Sequence, residues 1–517
     1  MAASTDTARL GRERQERHFA TGHLLADLKG RTVSSGVVTA GAQGVLFTLT
    51  LLSTFLLARL LDPRDFGLIA MVTTVTGFLR IFSGGGFSAG TVQRENITHA
   101  QASNLFWINA GMSAGMSLIV AASAPVFAWF YGEPQLVVIT VVLSATFLLT
   151  GLTAQHTALL NRQMRFKAIA VIQIASTLVG VLVAVGLAWQ QSGYWSLVGM
   201  QLSMPLVALV LTWFASPWRP QRPAFQTGTR SLVSFGADLT VSGFVWSLAR
   251  GMDSLLIGRI YGSDALGLYS RAAALLARPL DQFLGPLHAV LVPALSRVQS
   301  DPQRYRRTFL QVFETVTLMS LVFAGLFLVL ARPLTLTVLG PKWEQAVPIF
   351  AGFALCAVFL PLCSASSWLL ASQGRGREWL VTSLISGGAT VAAFCVGLPF
   401  GPAGVAIAYS VCGLALLLPV IFYIAGRRGP IQTVDLWGAA LRQLPVCGVV
   451  CAATFLTLRV VADVSPLGQL LACGAAGVCS GMVFVSLYSP ARQTVMNAVA
   501  AVKKLVRRPS QAASGAE

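Results

Sequence analysis

The chain has 517 residues, of which 55% are hydrophobic and only 11% are charged. Ordinary soluble domains carry about 25% charged residues, so soluble, disordered and fibrous proteins are excluded. Continuous apolar runs such as 44–61 and 112–130 are longer than the roughly ten-residue alternating segments of a transmembrane β-barrel. The composition predicts an all-α polytopic membrane protein.

The polar residues 1–32 precede the first apolar run. They lack the apolar core, roughly 7–15 residues long, of a cleavable signal peptide, so the first span is expected to direct its own insertion. A helix crosses the bilayer with about 20 apolar residues, and this length predicts fourteen spans with short connections. The predicted spans are 33–61, 65–91, 104–130, 136–160, 168–189, 195–215, 231–258, 266–295, 308–331, 347–372, 379–398, 402–425, 443–462 and 467–489.

The distribution of positive charge predicts the orientation. Most of the 37 lysines and arginines fall on the side of the N-terminus. Because cytoplasmic loops carry the excess of Lys and Arg, both termini are predicted to be cytoplasmic. The net charge of +18 therefore reflects topology, and no nucleic-acid partner is expected. The opposite side holds only Arg59, Arg64, Arg259, Arg332, Lys342 and Arg459.

An internal repeat predicts two lobes. The first hairpin reads LLARLLDPRDFGLIA (56–70), and the chain around spans seven and eight reads LLIGRIYGSDALGLYS (255–270). Shifted by 200 positions, Arg59 aligns with Arg259 and Gly67 with Gly267. An even number of spans separates the copies, so both halves face the same way, related by a pseudo-two-fold axis along the membrane normal.

This repeat sets the predicted domain organisation. The expected order is a cytoplasmic basic N-terminal segment (1–32), an N-terminal lobe of spans 1–6 with its connecting loop (33–230), a C-terminal lobe of spans 7–12 (231–426), two additional spans (427–489) and a cytoplasmic basic tail (490–517).

Signals of catalysis are missing from the sequence. There is no GxxxxGK[ST] phosphate-binding loop and no HExxH or Cys/His cluster for a metal. No sizeable extramembrane loop carries paired carboxylates. We therefore predict no catalytic residues, no metal and no cofactor, and a function other than that of an enzyme.

Charged residues inside the predicted spans are the informative ones, because a charge at the bilayer centre costs roughly 2.5–3.5 kcal/mol on insertion scales. Arg80 and Arg271 have no carboxylate three or four positions away on their own helix, so each needs a partner across the lobes or an anionic ligand. Two other arginines have a carboxylate three positions further along the same helix. The pairs Arg250–Asp253 and Arg278–Asp281 could therefore be internal ion pairs that only neutralise each other. The candidate substrate-binding residues are Arg80, Arg250, Arg271 and Arg278, and the candidates for ion or proton coupling are Asp238, Asp253 and Asp281.

These arginines predict a cationic cavity. Guanidinium groups stay charged when buried and bind phosphate bidentately, so the expected substrate is anionic and phosphorylated. The interiors of the first six spans carry no carboxylate, which counts against an exporter that binds cations or drugs through its N-terminal lobe.

Two segments resemble a known family. The stretches 252–301 and 56–96, the latter followed by LFWINAGMS (105–113), are similar to Wzx-type flippases of the multidrug/oligosaccharidyl-lipid/polysaccharide exporter superfamily. The resemblance implies alternating access that moves undecaprenyl-diphosphate-linked repeat units of exopolysaccharide, capsule or O-antigen type across the bacterial inner membrane. It also implies membrane lipids, a polysaccharide polymerase and a co-polymerase as partners.

Related lipid II flippases carry a cavity arginine in their first span. Residues 33–58 contain none, which counts against lipid II as the substrate. Two other functions stay open, namely a cation-coupled drug antiporter of the same fold and a membrane-embedded polysaccharide polymerase or ligase. A polymerase or ligase would need a larger outward loop than 332–346, whose only charged residues are Arg332, Lys342 and Glu344.

Overall fold

The computed structural model describes residues 28–80, 91, 97–223, 230–497 and 500, without the side chains of 28–37, 230–250, 286, 289 and 290. Within these ranges the regular structure is entirely helical. Most of the predicted N-terminal segment 1–32, the glycine triplet 84–86 and the end of the tail (501–517) lie outside them.

The helices form two compact units, which divide between Gly267 and Leu268. The first unit contains six helices that precede the long helix shared with the second unit. They are α1 (Leu28–Leu60), α2 (Pro63–Arg80), α3 (His99–Tyr131), α4 (Leu136–Arg162), α5 (Phe166–Trp189) and α6 (Trp195–Ala215).

The shared helix, α7 (Arg230–Ser296), is continuous except for a break at Gly262, where φ is +81° and ψ is −174°. A positive φ favours glycine because no Cβ clashes there. The break separates two parts, 230–261 and 263–296, which match predicted spans seven and eight. The predicted lobe boundary at 230/231 stays a prediction.

The second unit continues with shorter and more interrupted helices. Its helices are α8 (Pro302–Val329), α9 (Ala331–Val338), α10 (Ala346–Ala354), α11 (Cys356–Ser372), α12 (Gly376–Gly397), α13 (Gly401–Cys412), α14 (Leu418–Gly426), α15 (Thr433–Val460) and α16 (Pro466–Leu487).

The outer surface is apolar, as a bilayer solvent requires. Trp129, Trp189 and Phe214 are 79–82% exposed near helix ends, where aromatic rings sit at the membrane interface. Among the described residues, nine helices are long and apolar enough to cross a membrane, or ten if the pair α10 and α11, bent by 42°, forms one span. The prediction of an all-α polytopic membrane protein is confirmed, and the count of fourteen spans stays a prediction.

A π-helical stretch, Gly413–Leu417, joins α13 to α14. A Cβ placed on Gly413 would lie 2.3 Å from the ring of Phe359. The ring therefore occupies the space that a larger side chain would need. Such π-stretches inside α-helices add one residue to a turn and often mark functional positions.

His156 illustrates how polar side chains are buried in the first unit. Its ring is buried and stacks on Trp213 with centroids 4.6 Å apart, while Trp218 meets it edge-on at 5.1 Å. The imidazole of His156 is therefore packed among aromatic side chains.

Exposed charges allow the predicted orientation to be tested. Lys342 and Arg307 are both exposed and are predicted to lie on opposite sides of the membrane. In a variant without the eight native cysteines, a cysteine at Lys342 is expected to react with a membrane-impermeant maleimide in intact spheroplasts, and one at Arg307 only after permeabilisation. The reverse pattern would contradict the cytoplasmic termini.

Candidate functional site

Two of the predicted arginines lie on one face of the second part of α7. Arg271 and Arg278 are seven residues apart, two helical turns or about 10 Å along the axis, and both are half-buried. They follow Gly262 by nine and sixteen residues, so they lie about 13 and 24 Å along the helix from the break. Both positions belong to predicted span eight, 266–295.

Asp281 follows Arg278 by three residues and is exposed. The alternative that Arg278 and Asp281 neutralise each other stays a prediction beside the substrate site. Solvent or lipid headgroups can hydrate an exposed carboxylate.

The corresponding pair on the first part of α7 is only partly described. Asp253 is half-buried, and its Oδ1 accepts a hydrogen bond of 2.6 Å from the backbone N–H of Ser254. The side chains of Arg250 and Asp238 lie outside the described residues, so their predicted roles stay predictions.

Arg80 ends α2 and is exposed. It belongs to the first unit, whereas Arg271 and Arg278 belong to the second. The structure thus brings the latter two together on one helix, and the grouping of Arg80 with them stays a prediction.

A very close crossing of two helices joins α2 to the break in α7. A Cβ added to Gly67 would lie 1.7 Å from the carbonyl oxygen of Ser263, and one added to Gly267 would lie 1.9 Å from that of Pro63. Each contact pairs the first residue of one helix with the fifth residue of the other. The two glycines that the repeat aligns therefore make reciprocal contacts, and backbone touches backbone.

A carboxylate fastens the same crossing from the turn between α3 and α4. Glu133 accepts a hydrogen bond of 2.9 Å from Ser263 Oγ and one of 3.1 Å from Arg64 Nη2. Beside it, Arg259 lies over the ring of Phe130 at 5.7 Å. Sequence reasoning missed Glu133, since a single acidic residue in a short turn is ordinary, although the aligned glycines marked the crossing it contacts.

A second recurring feature is a Gln-x-Arg turn, which follows α4 in the first unit and α11 in the second. The middle residues, Met164 and Gly374, have φ of +54° and +68°. The arginine then donates through Nη1 to a helix-terminal carbonyl. These 2.8 Å bonds run from Arg165 to Ala215 and from Arg375 to Ala425.

The two turns align at a shift of 210 positions, with Gln163 on Gln373 and Arg165 on Arg375. The shift is 200 at the glycine crossing, so the second unit gains ten residues between the two features. Its short helix α9 lies in this interval, between α8 and α10, where the first unit has only the short turn after Tyr131. The repeat is therefore structural, with one insertion.

The two arginines on α7 are chemically suited to an anion. Two guanidinium groups on one helical face can each present paired N–H donors to phosphate oxygens. Metal chemistry finds no support in the described ranges, where no group of three or more His, Cys, Asp or Glu residues could hold an ion.

Comparison with known sequences gives a family match. The profile of a family described as polysaccharide biosynthesis protein matches residues 56–348. The teichuronic acid biosynthesis protein TuaB of Bacillus subtilis is 27% identical over 58% of this chain and 62% of its own length. The succinoglycan biosynthesis transport protein ExoT of Rhizobium meliloti is 27% identical over 68% of this chain and 71% of its own.

Comparison with solved structures gives the fold. The lipid II flippase MurJ in an inward closed conformation superimposes with a TM-score of 0.68 at 13% identity, covering 88% of this chain and 98% of MurJ. An inward-facing multidrug resistance transporter of the MATE family superimposes with a TM-score of 0.58 at 13% identity, covering 78% and 94%. At this identity the likeness concerns the fold and not the substrate.

The close crossing predicts that Gly67 cannot carry a side chain. Gly67→Ala is expected to lower the thermal unfolding midpoint of the purified chain in detergent, because a Cβ must push backbone away from backbone, and overpacking typically costs about 1–3 kcal/mol.

Gly77 is the matched control, since it lies on the same helix with nothing within 4 Å of an added Cβ. Gly77→Ala is expected to leave the midpoint unchanged or to raise it, because Ala is the better helix former by up to about 1 kcal/mol. Equal midpoints for the two variants would contradict the crossing.

Proposed function

Because this chain belongs to the polysaccharide biosynthesis protein family, we propose that it is a flippase for polyprenyl-diphosphate-linked oligosaccharides. It moves repeat units of exopolysaccharide, capsule or O-antigen type across the bacterial inner membrane by alternating access. Relatives named for teichuronic acid, lipopolysaccharide and succinoglycan biosynthesis support the substrate class. The alignment with TuaB covers less than two thirds of that protein. The proposed activity is therefore argued from the site as well as from the sequence similarity.

The observation that carries the proposal is the pair of half-buried arginines two turns apart on one face of α7, Arg271 and Arg278. The sequence predicts that both lie within span eight. A diphosphate spans several ångströms and carries charge at both ends, so two guanidinium groups two turns apart can hold it together with its first sugar. The polyprenyl tail stays in the lipid, so its movement between the leaflets does not require it to leave hydrocarbon. Arg80 and Arg250 are further candidates for this site.

The predicted orientation gives the direction of transport. Both termini lie in the cytoplasm, where lipid-linked units are made, and the crossing of Gly67 with Ser263 lies at the outward end of α2. Its backbone contacts and the Glu133 hydrogen bonds close that end of the first unit. Transport then requires this crossing to loosen.

Coupling and partners complete the proposal. Asp253 is half-buried and Asp281 exposed, and either carboxylate, or Asp238, can take up a proton during the cycle. The exported unit is handed to a polysaccharide polymerase and its co-polymerase on the outer side.

Replacing the two arginines tests the substrate site. Arg271→Ala and Arg278→Ala are each expected to lower polysaccharide export by roughly 10–100-fold, since a charge-assisted hydrogen bond is worth about 1.5–3 kcal/mol. Lys is expected to rescue export in part, because it restores the charge but not the paired donors. Export is measured in cells and normalised to the folded protein in the membrane.

Arg297 is the control, as it follows the same helix and is exposed. Arg297→Ala is expected to keep near-normal export. Near-normal export by well-folded Arg271→Ala and Arg278→Ala variants would end the proposal that they bind the substrate.

The energy source gives a second test. The sequence has no GxxxxGK[ST] loop, so the purified chain in liposomes is expected to translocate lipid-linked oligosaccharide without ATP. The measurement is the fraction of oligosaccharide accessible to an impermeant glycosidase before and after ATP is added. Strict dependence on ATP, with no other protein present, would contradict the proposal.

A further inference from the structure

A cavity of about 440 Å³ lies beside the Gln-x-Arg turn of the second unit. It is formed by the start of α12 and the residues that follow α14. Glu378 is the one carboxylate in its lining. The lining arginines are Arg375, Arg377, Arg427 and Arg428.

Only one of these arginines is needed to close the turn. Arg375 donates to the carbonyl oxygens of Ile424, Ala425 and Arg428 at 2.7–2.8 Å, and it also contacts Glu378. Its side chain is only 12% exposed. These bonds satisfy the last carbonyls of α14, which have no partner within their own helix.

The first unit serves as an internal control for this interpretation. There the same turn is closed by Arg165 and the carbonyl of Ala215. At the shift of 210, the counterparts of Glu378, Arg427 and Arg428 are Ala168, Pro217 and Trp218, whereas Arg377 corresponds to Lys167. The fold therefore builds this turn without the carboxylate and without the two arginines after α14, and the second unit carries these three charges for another reason.

The additional charges are not balanced within the cavity. Glu378 is shared among three arginines, at 3.6 Å from Arg427 Nε and 3.4 Å from Arg428 Nη1 in addition to its contact with Arg375. Arg377 is exposed and makes no ion pair in the described part of the chain. Four positive charges and one negative charge in so small a space attract an anion, and guanidinium groups match phosphate.

The surface around the cavity indicates where that phosphate comes from. On the adjoining helix α12, Trp379, Leu380 and Leu384 are 45–61% exposed, and Tyr423 of α14 is 61% exposed. Exposed apolar residues on a membrane span face acyl chains, and exposed Trp and Tyr mark the headgroup level. The positive-inside distribution places this end of α12 at the cytoplasmic leaflet, which is the anionic one.

From these observations we infer that the cavity binds the phosphate headgroup of an anionic glycerophospholipid from the cytoplasmic leaflet. The acyl chains lie along the exposed apolar face of α12, and Arg377, Arg427 and Arg428 contact the phosphate oxygens. The inference goes beyond the proposed transport, since this site uses neither Arg271 nor Arg278.

Native mass spectrometry of the full-length chain in detergent tests the site. Phosphatidylglycerol is titrated against the wild type and against Arg427→Gln/Arg428→Gln, with phosphatidylcholine as the neutral lipid. Two surface arginines contribute about 30-fold to the affinity for an anionic lipid, so the double variant is expected to bind phosphatidylglycerol about 30-fold more weakly. Binding of phosphatidylcholine is expected to be weak and unchanged.

Arg304→Gln/Arg307→Gln is the matched control, because it removes two exposed arginines from the start of α8, also on the predicted cytoplasmic side. It is expected to bind phosphatidylglycerol like the wild type. An equal loss in both double variants would overturn the site in favour of general charge attraction.

Inorganic pyrophosphate, added without lipid, separates the two sources of phosphate. If pyrophosphate raises the thermal midpoint of the wild type but not of Arg427→Gln/Arg428→Gln, and phosphatidylglycerol does not bind specifically, the lipid assignment is wrong. Glu378→Gln gives a further test, because a cluster that only stabilised the fold would not bind lipid more tightly after losing its carboxylate. It is expected to bind phosphatidylglycerol more tightly than the wild type even where it lowers the thermal midpoint.

Discussion

Every backbone N–H and carbonyl group in hydrocarbon must find a partner within the protein, because each unsatisfied group costs several kcal/mol. Helices meet this requirement along their length but leave their last carbonyls open. At two of these ends, which close predicted spans, the Gln-x-Arg turns supply donors, with Arg165 serving the end of α6 and Arg375 the end of α14. Each turn is thereby tied to the end of another helix.

The arginines consequently divide by what surrounds them. The arginines at the turns donate hydrogen bonds to carbonyl groups and hold helix ends together. Arg271 and Arg278 lie two turns apart on a single helical face of α7, within predicted span eight. Arg427 and Arg428 lie at the membrane surface around one shared carboxylate. The same type of side chain is thus found in a structural role at the turns and in the two anion-binding sites that we propose.

Sequence patterns predicted the fold class well because membrane insertion depends on apolar length and charge, which can be counted directly. The aligned glycines Gly67 and Gly267 likewise marked a real crossing, since only a close backbone contact explains glycine at both equivalent positions. The position of Arg271 and Arg278 within the membrane stays a prediction from the sequence.

Other features depend on three-dimensional packing and escaped prediction. Glu133 gained its role from Ser263 and Arg64, which are distant in the sequence. The i,i+3 spacing of Arg278 and Asp281 could not decide between a self-neutralised pair and a substrate site, because such a spacing allows a contact without requiring one. The surplus charge around Glu378 became visible only when the two turns could be compared as structures.

The reciprocal glycine crossing limits which substitutions this protein can accept during evolution. At Gly67 and Gly267 each glycine meets a main-chain carbonyl group, which is identical whatever residue carries it. No substitution at Pro63 or Ser263 can therefore make room for a side chain at the glycine opposite. A salt bridge such as Arg64–Glu133 can be exchanged for another pair of residues, but the glycines have no compensating partner. Each position is therefore constrained to glycine independently of the residue opposite. Although the two glycines are in contact, substitutions at one are not expected to covary with substitutions at the other.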